Sequence, residues 1–178
     1  MDRLWAPWRA QYLRNASESV GSGTECFLCR GLAAPPSHDR ENLVAWRRPH
    51  SVVVLNRFPY NNGHLLVAPR VHQGTLGALT DADLTEPVET IRRAIGVLDR
   101  MLRPHGYNVG LNQGRAAGAG LPGHLHWHIV PRWDGDTNFM PVLGQTKVLV
   151  ESLLEFYDRF TAELARDVDS GSPERCGG

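Results

Sequence analysis

The run HLHWHI at residues 124–129 alternates histidine with apolar residues, and this alternation constrains the fold more than any other feature of the chain. Side chains of a β-strand point alternately to its two faces, so the histidines would share one face and Leu125, Trp127 and Ile129 the other. The apolar face can enter a core while the histidine face stays polar. We therefore predict a strand over residues 125–130, with neighbouring imidazoles roughly 6–7 Å apart along it.

Short apolar runs bounded by turn residues predict the rest of a sheet. These runs lie at residues 43–46, 51–55, 64–68 and 107–111. The triplet NNG at residues 61–63 is a turn signal before the third of them.

Two longer segments, residues 81–102 and 148–165, repeat apolar residues at threes and fours and are predicted to be helices. The apolar face of the first comprises Leu84, Val88, Ile91, Ile95, Leu98 and Leu102. Thr80 can cap its start, whereas Pro87 would be tolerated only near the first turn. Residues 31–41 hold two adjacent prolines and are predicted to form a loop.

The order of these elements predicts an α+β domain with a mostly antiparallel five-stranded sheet and two main helices. We expect an N-terminal segment over residues 1–40, whose aromatic residues dock on the domain. The domain itself would cover residues 41–167, and residues 168–178 would be a disordered tail. The apolar face of the first helix is broad enough to pack against a second copy, which predicts a homodimer.

The composition of the 178-residue chain excludes several classes of protein. Its 19 basic and 19 acidic residues give a formal net charge of zero, so no global field gathers nucleic acid. No apolar window approaches the roughly 18 residues that a membrane-spanning helix needs, and the N-terminus does not resemble a signal peptide. Three cysteines form no evident disulfide framework. We predict a cytoplasmic protein that binds neither nucleic acid nor membrane.

Three histidines in a row on one strand face suit chemistry on a phosphate. The middle imidazole, His126, could attack phosphorus while a neighbour donates a hydrogen bond to the developing negative charge. A neutral imidazole is a usable nucleophile near neutral pH, because its unperturbed pKa is about 6.5. The product would be a covalent nucleotidyl-histidine that a second acceptor discharges. A cluster of metal ligands, or a merely polar strand face, is the alternative interpretation.

A single Cys-x-x-Cys pair, Cys26 and Cys29, precedes the predicted sheet. By itself the pair is compatible with a redox motif, with half of a zinc site, or with chance. The helix start that would accompany a thioredoxin-like motif is not apparent in the sequence.

The run GHLHWHIVPR at residues 123–132 resembles the signature of the histidine triad (HIT) superfamily. The runs LNRFPY at 55–60 and GHLLVAP at 63–69 are similar to the nucleoside-binding turn and strand of that family. The resemblance covers roughly residues 40–133 and implies a HIT-like fold that pairs into a dimer. The runs LWAPWR at 4–9 and PRWDGDTNFM at 131–140 resemble a bacterial branch similar to diadenosine-tetraphosphate phosphorylases.

The resemblance also implies roles for individual residues. His126 matches the nucleophile of the family, and His128 matches the histidine that contacts the α-phosphate. Asn56 matches the residue that binds the ribose, and Gln113 a side chain that contacts the phosphate or the leaving group.

A glycine-rich loop before the histidines departs from the family pattern. Gly120 and Leu121 match a phosphate-cradling loop, in which backbone N–H groups can bind oxyanions. The polar residue that often ends that loop is replaced by the run LPG at residues 121–123. Proline removes one N–H donor, and Arg115 could compensate for it or simply be solvated.

Resemblance to zinc-bearing histidine triad proteins and to related uridylyltransferases implies a structural zinc site. His72 and His124 would complete a tetrahedral set with Cys26 and Cys29. A metal-bound imidazole has no lone pair left for attack, so His124 could bind the metal while His126 stays free. Two reduced thiols and a surface His72 are the alternative.

The resemblance implies an enzyme that cleaves a dinucleoside polyphosphate, such as diadenosine tetraphosphate, with inorganic phosphate as the acceptor. A hydrolase of nucleoside phosphoramidates or dinucleoside polyphosphates, with water as the acceptor, shares the same chemistry up to the covalent intermediate. A zinc-stabilised nucleotide-binding module with little catalysis is the alternative of another class.

Overall fold

A computed structural model of the chain describes residues 26–136 and 151–169, with side chains as far as residue 166. The docking of the aromatic N-terminus concerns residues 1–25 and lies outside this part. Nearly all of the predicted tail also lies outside it, although residues 168 and 169 belong to the last helix. The predicted domain bounds stay a prediction.

The described residues build one antiparallel sheet of five strands in the order β1-β2-β3-β5-β4. The strands are β1 (Val44–Arg47), β2 (Ser51–Leu55), β3 (Leu65–Pro69), β4 (Gly106–Leu111) and β5 (Trp127–Arg132). All five predicted strands are therefore present, and the α+β class is confirmed. Strand β5 starts two residues later than predicted, because the backbone N–H of Leu125 bonds to the carbonyl of Gln73 instead of joining the sheet.

The predicted alternation across β5 decides which face of the sheet is covered. Leu125, Trp127 and Ile129 are buried in the core, as the sequence predicts. On the neighbouring strand the hydroxyl of Tyr107, which pairs with Pro131, donates to Asp99 on the long helix described next. Odd-numbered residues of β4 and β5 thus face this helix, and the even-numbered residues, including His128, face away from it.

Four α-helices accompany the sheet in the described ranges: α1 (Phe27–Ala33), α2 (Asp39–Asn42), α3 (Asp81–Leu102) and α4 (Leu153–Asp169). Single turns of 3₁₀-helix occur at Pro36–His38, Leu76–Ala78 and Arg115–Ala117. The predicted bounds of α3 and its Thr80 cap are confirmed. Helix α3 packs on β2 and β3 and also against α4.

The predicted apolar face of α3 is correct in its last turns and wrong in its first turns. Leu84 and Val88 are exposed, whereas Asp83, Pro87 and Thr90 are buried. The first turns pack on a polar cluster at the β1–β2 turn, where the Thr90 hydroxyl meets Ser51 and Arg48. Pro87 lies beyond the first turn, and the helix nevertheless continues through it.

Two predictions at the ends of the chain need correction. Residues 31–41 are not a loop, since α1, a 3₁₀ turn and most of α2 fill them. Helix α4 begins at Leu153, because Ser152 and Glu155 exchange backbone and side-chain hydrogen bonds as a capping box. Glu151 and Ser152 are therefore not helical, although the prediction placed them inside the helix. None of the helices in the described ranges combines the length and the apolar character of a transmembrane segment.

Candidate active site

His126, the predicted nucleophile, lies just before β5 with 7% of its surface exposed. Its Nδ1 lies 2.9 Å from the carbonyl oxygen of His124. Because a carbonyl can only accept, Nδ1 must carry the proton, and the lone pair of the ring is on Nε2. Burial lowers the pKa of His126, which favours the neutral imidazole. The ring is therefore a neutral base with its reactive nitrogen already selected.

His128 lies beside His126, with ring centroids 5.1 Å apart and ring planes at 64°, so the two rings are closer than the expected 6–7 Å. Its Nδ1 is 3.0 Å from Nε2 of His64. His64 is 2% exposed, and its Nδ1 accepts the backbone N–H of Tyr60 at 3.0 Å. A neutral His64 is thus protonated at Nε2 and donates to His128 Nδ1, which leaves His128 protonated at Nε2. The contacts from Tyr60 through His64 to His128 therefore leave the Nε2–H of His128 as a hydrogen-bond donor.

Asn56 follows β2 and lies next to the same pair. Its side-chain oxygen accepts the backbone N–H of Phe58, and its amide nitrogen is 3.3 Å from Nδ1 of His64. The backbone N–H of Asn56 also bonds to the carbonyl of His64. The structure thus places Asn56 beside His64, and its predicted contact with a ribose stays a prediction.

Gln113, Gly120 and Leu121 lie on the loop between β4 and β5. The side-chain oxygen of Gln113 accepts the backbone N–H of Leu76, so this exposed glutamine holds the loop that follows β3. A Cβ at Gly74 in that loop would collide with the carbonyl of Pro122. The two loops are thus in direct contact, and Gly74 has no side chain because the backbone approaches so closely. Arg115 is exposed.

Cys26, Cys29, His72 and His124 come together beside this loop pair. Their ligand atoms all lie within 4.8 Å of one another, a geometry that could hold a metal ion. The Sγ of Cys26 is 3.2 Å from Nδ1 of His124, and the Sγ of Cys29 is 3.2 Å from Nδ1 of His72. Ideal tetrahedral zinc places sulfur and nitrogen ligands roughly 3.5 Å apart. The predicted four residues are the group that the structure assembles.

Local structure explains why these four donors meet. Cys26 caps α1, and its sulfur accepts the backbone N–H of Cys29, so both sulfurs lie at one helix start. Nε2 of His124 is 2.8 Å from the carbonyl of Pro69, which fixes the proton on Nε2 and leaves the Nδ1 lone pair facing the cysteines. The helix start that the sequence did not reveal is therefore present, and it serves the cluster.

Two of the three histidines of the run contact each other, and the third belongs to the Cys/His cluster. His126 and His128 are in ring contact, while His124 is fully buried and stacks edge-on against His72. His124 links the Cys/His cluster to the His126–His128 pair. Its ring contacts the sulfur of Cys26, and its backbone carbonyl accepts from Nδ1 of His126.

His64 is the functional residue that sequence reasoning missed. The sequence predicts only that His64 begins the strand-like run at residues 64–68, because its spacing from the other histidines carries no pattern. The run GHLLVAP at 63–69 was the available signal. The 2% exposure and the contact with His128 come only from the pairing of β3 with β5.

Comparison with known proteins identifies the family in which this antiparallel sheet, histidine pair and Cys/His cluster occur. The chain belongs to the HIT family, because the HIT domain model matches residues 39–135. The chain is 39% identical over 167 residues to the AP-4-A phosphorylase of Mycobacterium tuberculosis. The matched region covers 93% of this chain and 86% of that protein.

Two further similarities involve other members of the family. The bis(5′-nucleosyl)-tetraphosphatase [asymmetrical] of Schizosaccharomyces pombe is 32% identical over 93 residues, 52% of this chain and 50% of that one. The crystal structure of a Zn-bound histidine triad family protein from Mycobacterium smegmatis superposes with a TM-score of 0.65 at 23% identity. The match covers 85% of this chain and all of the other. This second likeness supports the fold.

Proposed function

We propose that this protein is an enzyme that cleaves dinucleoside polyphosphates, such as diadenosine tetraphosphate, by phosphorolysis through a nucleotidyl-His126. The observation that carries the proposal is the buried His126 ring, whose Nδ1 proton is held by the His124 carbonyl. The 39% identity to a protein named AP-4-A phosphorylase supports the same substrate class.

The reaction proceeds in two displacements at one phosphorus. Nε2 of His126 attacks the α-phosphorus, and the P–O bond to the β-phosphate breaks, so that ATP leaves with the electron pair. An oxygen of inorganic phosphate then attacks the adenylyl group, and the P–N bond breaks to return His126 and release ADP.

The remaining site residues bind and orient the substrate. The Nε2 proton of His128, set by His64, donates to an α-phosphate oxygen as charge develops there. Asn56 binds the ribose on the β2 side, and the amide group of Gln113 contacts the phosphate chain. Backbone N–H groups near Gly120 and Leu121 cradle phosphate oxygens.

Zinc is the metal that the Cys26–Cys29–His72–His124 cluster suits best. Two cysteine sulfurs and two imidazole nitrogens form a closed, soft donor set, which is typical of a structural site. A zinc ion held by these four residues would tie α1 to the loop after β3 and would fix the ring of His124. The carbonyl of His124 then holds His126 in its reactive tautomer.

A homodimer is also proposed, but not through the face that the sequence suggested. The last turns of α3 are covered by the sheet and by α4, and only Leu84 and Val88 of its predicted apolar face stay exposed. Strand β4 instead ends the described sheet, and its residues Asn108, Val109 and Gly110 are exposed. An exposed edge strand can pair with a second copy across a two-fold axis.

Hydrolysis, with water as the acceptor, is the second candidate, and the relative named a tetraphosphatase favours it. The test incubates the protein with diadenosine tetraphosphate, with and without inorganic phosphate, and separates the nucleotides. ADP plus ATP that form only with phosphate support phosphorolysis, whereas AMP plus ATP indicate hydrolysis. No cleavage under either condition would favour a nucleotide-binding module instead, despite the geometry of His126.

A further inference from the structure

A lane of small and polar residues runs along β4 beside the catalytic histidines. Gly106, Asn108 and Gly110 pair with Arg132, Val130 and His128, so they lie on the sheet face that points away from α3. A Cβ added at Gly110 would meet nothing within 4 Å. Packing within the described chain therefore does not require glycine at this position, and the space above it is open.

The open space is part of a groove that begins at His128. It measures about 380 Å³ and is lined by residues that include Tyr60, Asn108, Gly110, Asn112 and His128. Clefts that bind small molecules hold roughly 300–1,000 Å³. The groove thus offers room for one half of a dinucleotide. The side-chain amide groups of Asn108 and Asn112 can make polar contacts, although the oxygen of Asn108 already accepts from Arg132.

An aromatic platform forms one wall of the groove. The half-exposed ring of Tyr60 stacks on His128 with an interplanar angle of 18° and a centroid distance of 6.0 Å. Aromatic side chains that keep one face open can stack on a nucleobase. The guanidinium of Arg132 also lines the groove, but it forms an ion pair with Asp136. Its positive charge is therefore neutralised within the protein.

Sheet order places two binding regions on opposite sides of β5. Asn56 and His64 lie on the β2–β3 side of His128, and Gly110 lies on the β4 side. The groove reaches from Gly110 across β5 to Tyr60 in the turn after β2. A substrate whose α-phosphate is bound at His126 and His128, and whose first ribose reaches Asn56, directs its remaining phosphates across β5.

We infer that the β4 groove binds the distal, leaving nucleotide of a dinucleoside polyphosphate, with Gly110 as its floor. This inference rests on the proposed function and names the second half of its substrate. In the first displacement, the bond from the α-phosphorus to the bridging oxygen breaks, and the departing nucleoside triphosphate takes the electron pair while it lies in this groove.

The test compares two substrates that leave the same adenylyl group on His126. Diadenosine tetraphosphate releases ATP, which would fill the groove, whereas adenosine 5′-phosphoramidate releases only ammonia. Gly110→Leu places a branched side chain in the lane, and Gly110→Ala a smaller one. Gly106→Leu is the matched control, because it makes the same change in the same row, where a Cβ also meets nothing within 4 Å.

We expect Gly110→Leu to lower kcat/KM for diadenosine tetraphosphate at least about tenfold more than kcat/KM for the phosphoramidate. Gly110→Ala should shift this ratio less, and Gly106→Leu should shift it by less than about twofold. Equal losses on both substrates, or no loss, would overturn the groove assignment. If the wild-type protein cleaves neither substrate, the proposed function itself fails, and the groove assignment fails with it.

Discussion

His126 presents a single ring nitrogen for chemistry, since the carbonyl of His124 holds the other. His126→Ala removes that nitrogen, so we expect no covalent nucleotidyl adduct and a loss of turnover of several orders of magnitude. Binding of AMP should survive, because Asn56, Gln113 and His128 remain. Acid quench with labelled diadenosine tetraphosphate measures the adduct, and the exposed His38→Ala is the control. Wild-type turnover by His126→Ala, or label on another residue, would contradict the mechanism.

His128 depends on His64 for the position of its proton. In the wild-type protein, ¹⁵N imidazole shifts should show His128 protonated at Nε2 and unprotonated at Nδ1. His64→Phe keeps a ring but removes the donor, so Nδ1-protonated His128 should appear and kcat should fall about tenfold. His128→Ala, which deletes the donor to the phosphate, should cost about 10²–10³-fold. An unchanged tautomer in His64→Phe would show that His64 only fills space.

Gly74 sets the approach of two elements, the loop after β3 and the loop before β5. A Cβ there would collide with the carbonyl of Pro122, so Gly74→Ala must displace the loop before β5. We expect a loss of about 1–3 kcal/mol in the free energy of unfolding, together with reduced activity. Gly77→Ala, in the neighbouring turn where a Cβ meets nothing within 4 Å, is the matched control. Chemical denaturation of both variants tests this, and equal stabilities would refute the contact.

Helix α1 and the loop after β3 meet at the Cys/His cluster. Replacement of Cys26 and Cys29 by serine should release about one zinc per chain and lower the melting temperature by roughly 10 °C. Metal analysis and calorimetry measure the two effects. Cys176→Ser, which removes the third cysteine of the chain, should retain the metal. Fully active wild-type protein that contains no metal would remove the zinc proposal.

Most of the elements were predictable because their signals are local. Strand alternation and helical periodicity extend over enough residues to place five strands and α3. Helix α1 was missed because it has seven residues and starts from a cysteine cap that seldom signals a helix. The predicted start of α4 is too early. The Ser152–Glu155 capping box marks the true start, and its residue pattern is visible in the sequence. The His64–His128 contact joins residues far apart in sequence, so only strand pairing could reveal it.

The whole molecule has one sheet edge suited to self-association. We expect the 19.8 kDa chain to sediment as a dimer through β4 at micromolar concentration. Val109 is 45% exposed on that edge, and Val109→Lys should give monomers through charge repulsion across the two-fold axis. Val88→Lys, on the exposed side of α3, should leave the dimer intact. A monomeric wild-type protein, or dissociation only by Val88→Lys, would rule out the β4 edge.

The two faces of the sheet have different roles. Helix α3 packs on one face, and His128 and the β4 groove lie on the other. Engineering for thermostability commonly sacrifices activity where the same residues serve both properties. In this fold, exposed apolar positions such as Leu84 lie on α3, which packs on the sheet face opposite to His128, and they can be optimised for solubility and helix propensity. Directed evolution can therefore raise heat tolerance through substitutions on the α3 side of the sheet. The residues that set the turnover rate lie on the opposite face and can stay unchanged.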